Sequence, residues 1–220
     1  GGMGLVGYSG VWINGGFAFS MLAHELGHNL GLWHSNFLRS QETPAVSYGG
    51  KATHEEYGDY YDIMGWCYSP ECQYNLRNKQ QIYWIEPSVA LTDVSSSGLY
   101  QIYAHDQFSN KGQKMGLRIK WSNSDCCKWY YVSYRARSIP GNVNYNNGGA
   151  LDIHMTYNTY SMLNATHFID TTPDSLTRDP LGLSQTYKDS YTNPKITIKF
   201  ESRSCCCKDA CRANVRVTFG

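Results

Sequence analysis

Residues 24–34 read HELGHNLGLWH, and their spacing already implies chemistry. On a helix, His24 and His28 lie four residues apart, so both imidazoles share one face and can reach one ion. Glu25 projects beside that ion rather than onto it, where a general base acting on water must sit. Gly31 lets the chain leave the helix sharply, and His34 can then return as a third ligand. Three neutral imidazoles leave one position of a tetrahedral zinc ion open, as catalytic sites do and structural sites do not. The reading is therefore one catalytic Zn2+ held by His24, His28 and His34, with zinc-bound water as nucleophile and Glu25 as general base. H-E-x-x-H alone recurs by chance in roughly one such chain in 140, and adding Gly31 and His34 brings this to a few in 100,000. A distant carboxylate, Glu42, Glu55 or Glu56, is the alternative third ligand, but it leaves Gly31 and His34 unexplained.

These side chains need a helix, a turn and a floor. Residues 17–30 lack proline and keep Phe17, Met21, Leu22 and Leu26 at helical spacing, with Ser20 as a possible N-cap and Gly31 as the stop. Residues 36–60 are polar and turn-rich and read as a long surface loop. A second helix is expected over 74–86, ended by Pro87. Beyond residue 90 the pattern changes to period two. Strands are expected at 99–104, 115–121, 129–135, 150–157, 195–200 and 214–219, each bounded by Gly, Asn, Ser, Pro or Asp. Six strands without intervening helices suggest an antiparallel sandwich-like module. The expected class is α+β, with a catalytic region over 1–90 and a β-rich module over 91–220.

Met64, in Asp62-Ile63-Met64-Gly65, stands thirty residues after His34 and could form an apolar, adaptable floor under the imidazoles. Together with the extended histidine motif, this resembles the Met-turn of the metzincin metallopeptidases. The strings EEYGDYYDIMG (55–65), FIDTTP (168–173) and LGLSQTYKD (181–189) further resemble gametolysin-like peptidases. That family contains secreted zinc endopeptidases, including algal cell-wall lytic enzymes. The resemblance covers most of the chain from about residue 15 and implies protein or peptide substrates, among them extracellular-matrix or cell-wall glycoproteins. Some relatives have Gln as first ligand, whereas His24 here implies a full three-histidine site. Astacin- and serralysin-like relatives use a Tyr two positions past the methionine as a further ligand. Trp66 stands there instead, so that ligand is not expected. Metzincin catalytic domains carry a sheet and another helix ahead of the active-site helix, which makes this chain read as truncated or processed.

Other residues invite weaker readings. His54 and His167 could support the site or contact substrate, but read better as solvated loop histidines. Tyr57, Tyr60, Tyr61 and Tyr68 flank the Met-turn and could line a subsite, donate to an oxyanion or simply pack. Asp62 could hydrogen-bond the turn or orient a ligand imidazole. Asp59, Asp170 and Asp174 could bind Ca2+, although no EF-hand spacing supports this. Eight cysteines, an even number, suggest disulfides of unreadable connectivity in a secreted protein, and Asn164-Ala165-Thr166 is a glycosylation sequon. The net charge of +1 and 17% charged residues argue against a nucleic-acid partner. No apolar run is long enough to span a membrane. Against the peptidase reading stands an adhesion or carbohydrate-binding protein with a relic zinc site, which would have no use for Glu25.

Overall fold

The computed structural model describes residues 1–40, 52–67, 69–107, 112–122, 125–140, 142–156, 165–173, 177–189, 191–205 and 210–220. The chain opens with a hairpin of β1 (Gly2–Gly4) and β2 (Val11–Ile13), then helix α1 (Phe19–Asn29). Strands β3 (Ser35–Ser40) and β4 (Ala52–Glu55) follow, then short helices α2 (Leu76–Gln81) and α3 (Pro87–Ala90). Next come β5 (Leu91–Val94), β6 (Gly98–Tyr103), β7 (Gly116–Ser122), β8 (Asp125–Arg135) and α4 (Val143–Asn146). The chain ends with β9 (Ala150–Thr156), β10 (Thr166–Ile169), β11 (Thr186–Asp189), β12 (Ile196–Ser204) and β13 (Arg212–Phe219). Helices and sheets are both present, with strands dominant, which fits the α+β class.

Two sheets stack face to face. One runs β4-β3-β10-β9-β8-β7-β5 and the other β11-β12-β13-β6. Alternation along each strand builds the core between them. Tyr130, Val132 and Tyr134 of β8 and Leu151, Ile153 and Met155 of β9 meet Ile198, Phe200, Val215 and Val217 of the smaller sheet. The six expected strands are all present, with shifted ends.

Three expectations are corrected. Strands β3 and β4 precede residue 90, yet they belong to the same sheet as β7–β10, so residue 90 does not separate two sheets. The sandwich is not purely antiparallel, since β10 runs parallel to β3 and β5 parallel to β7. The expected surface loop over 36–60 instead contains most of a largely buried strand, Ser35–Ser40, because Ser35, Asn36 and Ser40 find polar partners inside; residues 41–51 lie outside the described set.

The large sheet is covered on its second face as well. There Ser133, Arg135, Asp152, His154 and Thr166 are buried polar side chains. They explain why apolar periodicity found β8 and β9 but did not foretell two covered faces. The polar layer holds the segment between β4 and α2. Asp59 accepts from His154 Nε2 at 2.8 Å. Asn75 Nδ2 donates to Thr166 Oγ1 at 2.9 Å and to Ser35 Oγ at 3.2 Å.

Helix ends also differ from expectation. Helix α1 starts after Ala18, which makes no side-chain cap, so Ser20 is an interior residue. The second helix is only Leu76–Gln81, with Asn75 as N-cap accepting from Asn78 N. Pro87 opens α3 rather than ending a long helix, because its fixed φ and missing N–H suit the first helical position. Disulfides join Cys67 to Cys72 and Cys205 to Cys211. No helix among the described residues is long and apolar enough to cross a membrane.

Candidate metal centre

Helix α1 buries Glu25, Gly27 and His28 and leaves Phe19, Leu22, Leu26 and Leu30 substantially exposed. Its covered face is therefore the one carrying chemistry. The helix stops in a paired turn: Leu32 N donates to Gly27 O at 3.0 Å and Gly31 N to His28 O at 2.8 Å. Gly31 has φ +89°, a left-handed conformation that costs glycine no Cβ clash. Gln81 of α2 fastens this turn by donating to Gly31 O at 2.8 Å. Buried Leu32 then anchors the chain, and β3 begins at Ser35, whose N–H donates to Met64 O at 2.9 Å. His34 is held between these two anchors.

The three histidines converge, with one ligand atom from each lying within 4.8 Å of the others. Their remaining ring nitrogens are engaged. His24 Nδ1 lies 2.8 Å from Ile63 O, His28 Nδ1 2.8 Å from Leu32 O, and His34 Nδ1 2.7 Å from a Glu56 carboxylate oxygen. Carbonyl and carboxylate oxygens only accept, so each Nδ1 carries the proton and donates. Each Nε2 is left as a lone pair available to a metal ion. Desolvation by burial lowers the pKa of His24 and of His34, outweighing the raising effects of the Ile63 carbonyl and of Glu56. Neutral imidazoles, the form that binds metal, are thereby favoured. Donor set, tautomers and convergence fit one metal ion of the kind that takes nitrogen ligands.

Met64 is fully buried and packs in a cluster with Leu32, Ile63 and Tyr74. A Cβ on Gly27 would stand 2.4 Å from Met64 Sδ, so glycine there is what lets the thioether reach the helix. The turn Asp62–Gly65 is closed by Gly65 N donating to Asp62 O at 3.0 Å. Asp62 supports it from within, accepting from Met64 N at 2.5 Å and from Asn75 N. It orients the turn whose Ile63 carbonyl holds His24, and it touches no imidazole itself. Burial, reinforced by neighbouring Asp59, pushes its carboxyl up to about 6.

Glu25 lines a cavity of about 320 Å³ together with His24, Tyr57, Trp66 and Met21. Strand β1 covers it closely, since a Cβ on Gly2 would meet Glu25 Oε1 at 2.6 Å. Glu56, weighed as a ligand, instead holds the outer nitrogen of His34; Glu55 pairs with Arg39 and Arg178. Glu42 lies outside the described residues. Tyr57 lies against His34, the rings tilted by 33° with centroids 3.8 Å apart, and stands 5.9 Å from His24. Its pKa is raised by burial first, then by Glu56 and Glu25. Trp66 lines the cavity wall at a T-shaped 6.4 Å from Tyr57.

The other candidates go elsewhere. Tyr61 is buried and donates to Arg178 O at 2.6 Å, while Tyr60 lies under the Arg178 guanidinium. His54 and His167 are not loop residues: they sit on β4 and β10 with rings 5.3 Å apart, and His167 is fully buried. Asp59 and Asp170 accept internal hydrogen bonds and are not gathered into a common site, and Tyr68, Asn164 and Asp174 lie outside the described residues. Among the described residues the histidine triad is the group able to hold a metal ion. The buried supports Asn75 and His154 had no signal in the sequence, being isolated polar residues without motif or period. Comparison with protein-family models, curated proteins and solved structures finds no match.

Proposed function

We propose that this chain carries the active centre of a secreted zinc endopeptidase, of the gametolysin-like metzincin kind, that hydrolyses peptide bonds of extracellular or cell-wall proteins. One observation carries the reading: three histidines with engaged Nδ1 atoms have converging nitrogens, and the first of them lines one cavity with Glu25, the buried glutamate next to it in the chain. Zinc held there supplies Lewis acidity, which lowers the pKa of water towards ~7 and polarises a carbonyl. Glu25 takes the proton of the attacking water and hands it to the departing amine. A site that only stored metal would have no work for that carboxylate. The two disulfides are compatible with an oxidising compartment.

The test is cleavage of casein or a quenched peptide library, blocked by 1,10-phenanthroline and restored by zinc. Glu25→Ala is expected to keep one zinc per chain and lose turnover. A Glu25→Ala protein that still cleaved would refute the assignment. Zinc binding without cleavage by the unmodified chain would favour a relic site in an adhesion or carbohydrate-binding protein.

A further inference from the structure

We propose that the Tyr57 hydroxyl is a second catalytic group, donating a hydrogen bond to the carbonyl oxygen of the substrate as negative charge develops there. The inference rests on the peptidase reading and adds a residue to its chemistry. Three observations support it. Tyr57 lines the same cavity as His24 and Glu25. Its ring is fixed, lying 3.8 Å from the His34 ring and 5.9 Å from that of His24. Its backbone is held at φ +59° by two hydrogen bonds: Tyr57 N donates to Asn36 Oδ1 at 3.1 Å, and Trp66 N donates to Tyr57 O at 2.8 Å. A non-glycine residue in the left-handed region needs surroundings that over-determine it, and such residues cluster at functional sites.

The hydroxyl itself takes no protein partner among the described residues, so its proton is available to a bound molecule. A phenol has an unperturbed pKa near 10 and stays protonated at neutral pH. In the proposed step, water oxygen bonds to the carbonyl carbon, the C–N bond breaks, and the proton passes from water through Glu25 to the amine nitrogen. Tyr57 keeps its proton throughout and stabilises the oxyanion by hydrogen bonding alone.

The experiment compares the unmodified chain with Tyr57→Phe and Tyr57→Ala on one peptide substrate. Tyr57→Phe keeps the ring on His34 and removes only the oxygen. Its expected effect is a ~100-fold fall in kcat with little change in KM, at unchanged zinc content. Affinity for a phosphinic peptide, whose tetrahedral anion mimics the oxyanion, should fall in parallel, while affinity for the uncleaved peptide holds. Equal kcat for Tyr57→Phe and the unmodified chain overturns the proposal, and a fall confined to Tyr57→Ala assigns the ring a packing role instead. If the unmodified, zinc-loaded chain cleaves no peptide, the peptidase reading itself fails, and this proposal with it.

Discussion

Glu56 is the one orienting partner in the triad that a substitution can remove. His24 and His28 direct their Nδ1 protons to the main-chain oxygens of Ile63 and Leu32, which survive any side-chain change. His34 relies on a carboxylate 2.7 Å away. Removing such a partner usually costs ten- to a hundredfold in metal affinity. Glu56 has a side chain 61% exposed, so water can replace it in part and screens its charge. The expectation for Glu56→Ala is therefore the lower end, about tenfold weaker zinc binding, or ~1.4 kcal/mol. Glu56→Gln keeps an oxygen acceptor and loses the charge. Neutral hydrogen bonds are about half as strong as charge-assisted ones, so a loss of about threefold is expected. Competition titrations against a chromophoric zinc chelator resolve these differences. Equal affinities for all three proteins would refute the idea that Glu56 orients His34. A loss of a thousandfold or more on Glu56→Ala would instead make Glu56 a ligand in its own right.

Two further outcomes follow from burial and packing. Burial lowers the pKa of His24 and His34, so protons compete for these nitrogens only at acidities beyond the ordinary histidine range. Zinc content and activity should hold through the ordinary histidine range near pH 6.5 and fall only below it, as acid charges His24 and His34, while the metal-free fold loses stability as the pH drops below about 6.5. Metal content by dialysis and a pH–rate profile check this, and a profile flat to below ~pH 4 would contradict it. Gly27→Ala sets a helical gain of up to ~1 kcal/mol against overpacking on Met64 that costs about 1–3 kcal/mol. Since the added carbon would lie 2.4 Å from Met64 Sδ, net destabilisation with weakened zinc binding is expected in urea unfolding. A stabilised Gly27→Ala protein would show that Met64 moves aside freely.

The sequence made the histidines and the later strands legible for different reasons. Four-residue spacing on a helix leaves few alternatives, and β8 and β9 alternate apolar residues towards a real core. What stayed hidden is polar. Residues 36–40 read as loop because Asn36, Arg39 and Ser40 are hydrophilic, yet Asn36 and Ser40 are buried with hydrogen-bond partners drawn from distant segments. Helix α1 is legible from Leu22 and Leu26, which lie on its exposed side, and from half-buried Met21, while Phe17 falls ahead of its first residue. Glu56 reads from the sequence as an alternative ligand rather than as the partner that holds His34, since orientation of an imidazole depends on contacts that spacing does not encode.

The parallel pairing of β3 with β10 places Ser35, directly after the third histidine, beside Thr166. Asp59, just ahead of the Asp62–Gly65 turn, is likewise held by His154. Both anchors arrive more than ninety residues after the segments they fix. During synthesis, residues 24–65 leave the ribosome long before the strands that secure them. His34 and the Asp62–Gly65 turn therefore gain these anchors only once β9 and β10 have joined the sheet. In this arrangement chain completion is itself a safeguard, because a nascent or prematurely ended chain lacks the framework that brings the three imidazoles to one point.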